Sequence, residues 1–198
     1  MDLIPLQTTG NQADNSHTVL CENKVMAKQT YVSACEKLLR INEWRKISND
    51  ILQTDFYLCN SNGEEVNRQP IISDYIKIDL AGPGTATGDG FDWVQIELIA
   101  EKEEENDTEF TLIRVRPAAC PIKESTDIAH FFDDAATTTF IISRLKNEVS
   151  AEIHGRNESP NTDTSHLIDN IRNTLVAKLA AIKFSDIQWK NLCEGLLS

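Results

Sequence analysis

Apolar and polar residues alternate through residues 137–155 in a way that assigns each one to a side of a strand. If Lys146 and Asn147 form a two-residue turn, Leu145 pairs with Glu148 and the register of a whole hairpin follows. Phe140 and Ile142 then share a face with Val149, Ala151 and Ile153, which is the face of a core. Thr139, Ser143, Ser150, Glu152 and His154 share the other, with Ile141 among them. His154 lies opposite Thr139.

The middle of the chain carries the same period. "FYLCN" (56–60) ends at the turn Ser61-Asn62-Gly63, and "DYIKIDL" (74–80) sets Tyr75, Lys77 and Asp79 against Ile76, Ile78 and Leu80. In "FDWVQIELIAE" (91–101), Val94, Ile96 and Leu98 share one face, with Trp93, Gln95 and Glu97 on the other. "FTLIRVR" (110–116) completes a hairpin whose acidic tip, "EKEEENDTE" (101–109), is expected to interrupt the strands and project into water.

Two stretches switch to a helical period. Ala34, Leu38, Ile41, Trp44, Ile47 and Ile51 fall on one face of a helix over 31–52, opposed by Glu36, Lys37, Arg40, Glu43 and Lys46. Thr30 and Ser33 compete as its cap. Near the C-terminus, Ile168, Ile171, Leu175, Leu179 and Ile182 form a second stripe, capped by Thr164 or Ser165. Ser185-x-x-Gln188 opens a short last helix bearing Trp189, Leu192 and Leu196. Residues 1–17 lack periodicity and read as a flexible leader, with "HTVLCENKV" as a short first strand. That leaves 18–198 as a single domain.

These elements make an α+β protein. A curved antiparallel sheet of about six or seven strands carries an N-terminal helix and a long C-terminal helix, followed by the short last one. In this element order the chain resembles the helix-grip proteins, the START and Bet v 1-like group. The resemblance implies a sheet and a long helix that enclose an apolar cavity. A plain sheet with docked helices is the competing architecture.

Composition narrows the function. A formal net charge of −12 repels phosphate backbones, so neither nucleic acid nor an anionic membrane is an expected partner. No run is long and apolar enough to span a bilayer. Five cysteines (Cys21, Cys35, Cys59, Cys120, Cys193) without CxxC spacing suit free thiols in a reducing compartment, so the expectation is a soluble cytoplasmic protein.

Candidate chemistry is sparse. "AGPGTATGDG" (81–90) is glycine-rich but leads into a strand and lacks the lysine of a phosphate loop, so it reads as a loop or lid. His130, Asp133, Asp134, His154 and His166 have no metal-ligand spacing, and neither a metal nor a cofactor is expected. Arg114 and Arg116 alternate on one strand, where they can hold an anion or pair with Glu97 or Glu152; pairing is the expectation. His154, Arg156 and Glu158 can be written as base, oxyanion clamp and orienting acid. They can equally be the polar joint between a strand and a helix.

The reading is therefore a non-catalytic binding protein, holding a small apolar ligand between sheet and helix or a protein partner. Its candidate ligand-binding residues are Trp93, Arg116, His130, His154, Arg156 and Asn157. The alternative is an enzyme of hydrolase- or lyase-like acid–base chemistry, using His154, Arg156 and Glu158 beside the 82–90 loop.

Overall fold

A computed structural model describes residues 3–48, 54–79, 87–161 and 187–198. Seven strands form one antiparallel sheet: β1 (Asn11–Leu20), β2 (Asp55–Cys59), β3 (Tyr75–Asp79), β4 (Asp92–Glu105), β5 (Thr108–Pro117), β6 (Thr137–Leu145) and β7 (Glu148–Glu158). Their order across the sheet is β1-β7-β6-β5-β4-β3-β2. Strands β2 to β7 follow one another as a meander, and β1 closes on β7. Helix α1 (Lys24–Leu38), a 3-10 turn (Ile41–Glu43) and the single turn α2 (Trp44–Ile47) connect β1 to β2. This is the curved antiparallel α+β sheet that the element order predicts. The expected long C-terminal helix and its caps lie outside the described residues, as do Ile51 and residues 80–86 of the glycine-rich loop. Residues 187–197 are helical.

The β6–β7 register is the expected one. Phe140 pairs with Ile153, Ile142 with Ala151, Thr139 with His154, and Leu145 with Glu148 across the turn. The inward face of this hairpin joins Ile96, Ile113 and Val115 in the main core, which α1 covers with Ala27, Tyr31, Ala34 and Leu38. Trp44 sits in that core, 5.4 Å from Phe56 and 4.8 Å from Phe140 between ring centroids. Trp189 meets Phe140 edge-on at 5.4 Å, so residues 187–197 close the core over the same aromatic cluster.

Three expectations need correction. Residues 11–17, expected in the leader, are strand instead, because β1 starts at Asn11 and pairs with β7. Its polar outer side hid it: only alternate residues turn inward, and those include Asn15 and His17. The helix begins seven residues earlier than expected and breaks earlier too. Asn23 caps it by accepting a hydrogen bond from the Met26 backbone N–H. Thr30 and Ser33 are interior residues of α1. Arg40, at φ −95 and ψ 63, turns the chain into the 3-10 segment. Last, β4 runs through the acidic stretch to Glu105. Only Asn106 and Asp107 form the tip, both at positive φ, the conformation a tight hairpin turn demands.

A register shift between Ile96 and Leu98 bends β4 against β5. It also corrects one side-chain assignment: Ile99, paired with Ile113, packs on the core in the place Leu98 was expected to take. Trp93, Cys59, Cys120 and Ala129 make a second, smaller apolar cluster with Tyr57, Tyr75 and Phe91. The segment 118–136 lies against β4 here: Trp93 N–H donates to the Ala129 carbonyl and Ala118 N–H to the Trp93 carbonyl. All five cysteines are free thiols. No helix among the described residues is long and apolar enough to cross a membrane.

Candidate functional site

The core-facing side of the sheet opens into a groove of about 350 Å3 between α1 and the β4–β5 hairpin. Tyr31, Val32, Cys35 and Leu39 line it from the helix side beside the charged Lys28 and Glu36, and Glu101, Lys102, Glu103, Glu109 and Thr111 line it from the strands. These helix residues recur at three and four positions, so they share one stripe of α1. At the groove wall the Tyr31 hydroxyl and Thr111 Oγ1 lie 2.9 Å apart in a hydrogen bond. Burial pushes the Tyr31 phenol well above its ordinary value, against the opposing hydrogen bond from Thr111. Burial likewise raises the Cys35 thiol, against opposing hydrogen bonds from Thr111 and Tyr31. At one end Glu109, almost fully buried, pairs with Lys28 and with Arg144.

On the opposite face, β1 and β7 assemble a charged cluster. His154 Nδ1 is 2.5 Å from Asp14 Oδ1, and its Nε2 is 3.0 Å from Glu152 Oε2. Arg156 donates to the same Asp14 oxygen at 2.7 Å and to the Ala13 and Gly155 carbonyls. The hydrogen bond to Glu152 does most to raise the His154 pKa above 6.5; burial opposes it and Asp14 adds to it. For Asp14 partial burial works the other way, yet the hydrogen bonds from His154 and Arg156 hold its carboxyl below the ordinary value. An imidazole whose two nitrogens both face carboxylates favours its doubly protonated form, and that form has no lone pair with which to take a proton.

Glu158, the proposed orienting acid, is not part of this cluster. Its carboxylate folds back over Gly155, where an added Cβ would collide with it. Asn157 is occupied elsewhere too. At φ 57 it sits at the irregularity in the β1–β7 register, and its Oδ1 accepts from Thr8 N–H at 2.7 Å and Thr9 N–H at 3.1 Å. Its Nδ2 donates to the Leu6 carbonyl. This amide therefore ties the N-terminal segment to the end of β7.

The other candidates sit in two more places. Trp93 is buried in the smaller cluster with its indole N–H on the Gly88 carbonyl. Burial drives the His130 pKa down to about 3, so the ring is neutral; its Nδ1 accepts from Phe132 N–H. Arg116 donates to Glu97 at 2.7 Å and to the Asp134 carbonyl at 2.6 Å, and Arg114 meets the other Glu97 oxygen at 2.6 Å. The pairing expected of these arginines is present, with Glu97 as the partner. The structure thus brings His154 and Arg156 together but sets Trp93, His130 and Asn157 in other surroundings. Among the described residues, no group of three or more His, Cys, Asp or Glu side chains is placed to hold a metal ion.

The residues that sequence reasoning missed are Asp14, Tyr31, Glu109 and Thr111. Asp14 lay in the supposed leader and Glu109 in the supposed acidic tip. One signal was available for Glu109: a single carboxylate beginning the alternation of "EFTLIRVR" is a strand position, not a loop position.

No protein-family model matches the chain, and no curated protein matches it in sequence. Solved structures share parts of its shape. A Nitrosospira multiformis protein is 10% identical, with 85% of this chain and 94% of that one covered, at a TM-score of 0.38. Major latex-like protein 151 from Panax ginseng is 12% identical over 90% and 97% of the two chains, at 0.34. A START superfamily protein from Mycobacterium smegmatis is 10% identical over 90% and 98%, also at 0.34. Similarities this distant assign no ligand, and the fold class rests on the chain's own strand order.

Proposed function

We propose that the protein is a non-catalytic, cytoplasmic binding protein that takes a small, largely apolar molecule into the groove between α1 and the β4–β5 hairpin. The observation that carries this reading is the groove itself, about 350 Å3 and so within the size range of small-molecule sites. Val32, Leu39 and the Tyr31 ring offer apolar contact, while the Tyr31–Thr111 hydroxyl pair and Lys28 offer polar groups for one end of the ligand. Trp44, Phe140 and Trp189 fill the sheet's inner face beyond it.

Catalysis is the weaker reading because the His154 ring is held between two carboxylates and Glu158 points elsewhere. A protein partner has one observation in its favour. Leu20, Val25, Met26 and Leu145 are exposed where β1, α1 and the β6–β7 turn end.

Fluorescence titration with an environment-sensitive apolar dye tests the groove. Val32→Trp places an indole across its half-exposed side and should weaken saturable dye binding at least roughly tenfold, about 1.4 kcal/mol. Unchanged dye binding by a folded Val32→Trp variant would remove the groove from consideration.

A further inference from the structure

The two walls of the groove differ in chemistry. Glu101 stands opposite Thr111 in the β4–β5 register, on the face that carries Ile99 and Ile113 toward the core. Glu103, two positions further along β4, lines the groove as well. Beyond burial, the Glu101 charge helps to raise the Cys35 thiol on the helix wall. On that wall Val32 is 44% exposed and stands with Leu39 and the Tyr31 ring. The acidic run of β4 therefore faces an apolar stripe of α1 across a concave space.

The ion pairs leave this acidic wall unbalanced. Four carboxylates line the groove, Glu36, Glu101, Glu103 and Glu109, against the two ammonium groups of Lys28 and Lys102. Two of the four already hold cations: Glu109 takes Lys28 and Arg144, and Glu36 takes Arg40. Lys102 reaches Glu105 at 3.5 Å. Among the described residues Glu101 and Glu103 have no ion-pair partner, and both are open to solvent. Residues two apart on a strand stand about 7 Å apart on one face, so their like charges repel. A positive group between them relieves that repulsion, an anion adds to it and a neutral group leaves it unchanged. A bare ammonium or metal ion would make no use of the apolar wall opposite.

We infer, resting on the groove as the ligand site, that its ligand is a small cationic amphiphile. This is an amine whose ammonium group lies between Glu101 and Glu103 and whose apolar part lies along Val32, Leu39 and the Tyr31 ring. Carboxylates in contact with water give each ion pair a modest strength, so the amine should be preferred roughly threefold to tenfold over a neutral analogue.

Displacement of the neutral fluorophore N-phenyl-1-naphthylamine by octylamine, octanol and octanoate at pH 7 tests the ligand class. Octylamine should displace it at roughly threefold to tenfold lower concentration than octanol, with octanoate weakest, and the preference should shrink in 1 M salt. Glu101→Gln/Glu103→Gln should bring octylamine to the level of octanol while the fluorophore binds as before, which shows that the fold and the groove survive. Glu22→Gln/Glu148→Gln removes the same charge from exposed positions outside the groove and should leave the preference intact. Equal displacement by octylamine and octanol, or a preference that persists in the Glu101/Glu103 variant, would overturn the amine assignment and leave the groove standing. Loss of the preference in both double variants would also overturn it, because net charge alone would then account for it. Absence of saturable fluorophore binding would instead remove the groove itself, and this inference with it.

Discussion

Glu109 and Arg144 stand directly opposite each other on β5 and β6 and join at 2.5 Å beneath α1, with both side chains almost excluded from water. Lys28 reaches the second Glu109 oxygen from the helix. The sheet's inner face thus ends in a buried ionic knot where its apolar part stops. Removing one partner from such a pair costs about 3–5 kcal/mol, because the opposite charge stays behind in a poor solvent for it. Glu109→Gln should lose about that much in urea denaturation. Glu109→Leu/Arg144→Leu should lose less than Glu109→Leu alone. If the single and double variants are equally destabilised, the knot is not a coupled unit.

His154 predicts a pH dependence with a definite sign. Its pKa rises on folding, above 6.5, with the Glu152 hydrogen bond as the leading cause. Stability gained by protonating it in the folded state is therefore complete below 6.5 and fades as pH rises through the folded value. His154→Gln should be less stable than the parent at about pH 5–6, and the gap in Tm should narrow by pH 8. A gap that widens with pH would contradict the arrangement. An NMR titration of the ring should find its midpoint above 6.5.

Asn157 predicts a local effect. Its side chain holds Leu6, Thr8 and Thr9 by four hydrogen bonds, one of them between its Oδ1 and the Thr8 hydroxyl. Asn157→Gly keeps the left-handed backbone accessible and removes the clamp. Cleavage between residues 6 and 10 under limited proteolysis should quicken roughly tenfold, with global stability falling by only about 1 kcal/mol. Unchanged cleavage would mean that the segment is held by something else.

Gly195 predicts tight docking of residues 187–197. A Cβ there would overlap the Ile47 carbonyl, a backbone atom with little freedom to retreat. Gly195→Ala should cost about 1–3 kcal/mol in chemical denaturation, although alanine favours a helix. A neutral or stabilising result would show that the two elements are not in contact.

The β6–β7 hairpin was readable residue by residue because Phe140, Ile142, Val149, Ala151 and Ile153 mark one face and the turn allows only one register. β1 was not readable, because an edge strand with one polar side resembles a loop until its partner is known. That partner is distant: Asp14 and His154 are 140 residues apart. The same distance concealed the charged cluster, since Asp14, which joins His154 to Arg156, lay in a segment thought to have no fixed place. Cluster membership also turned on backbone details. Glu158 follows His154 at even spacing, but the left-handed turn at Asn157 rotates it out of line. The groove was anticipated only as space between sheet and helix. Tyr31 and Thr111 looked like a helix start and an ordinary strand residue, and neither announces a shared hydrogen bond.

The seating of β1 against β7 also constrains how the molecule comes into being. β2 to β7 can pair in the order in which they leave the ribosome, each with the strand just made. β1 is made before them and has nothing to bond with until β7, the last strand, appears. Closing so long a loop carries an entropic penalty that local hairpins do not, and non-local pairings of this kind slow folding. The nascent chain must therefore carry an unpaired strand edge until β7 has been made, and the polar side of β1 makes that edge less prone to aggregate.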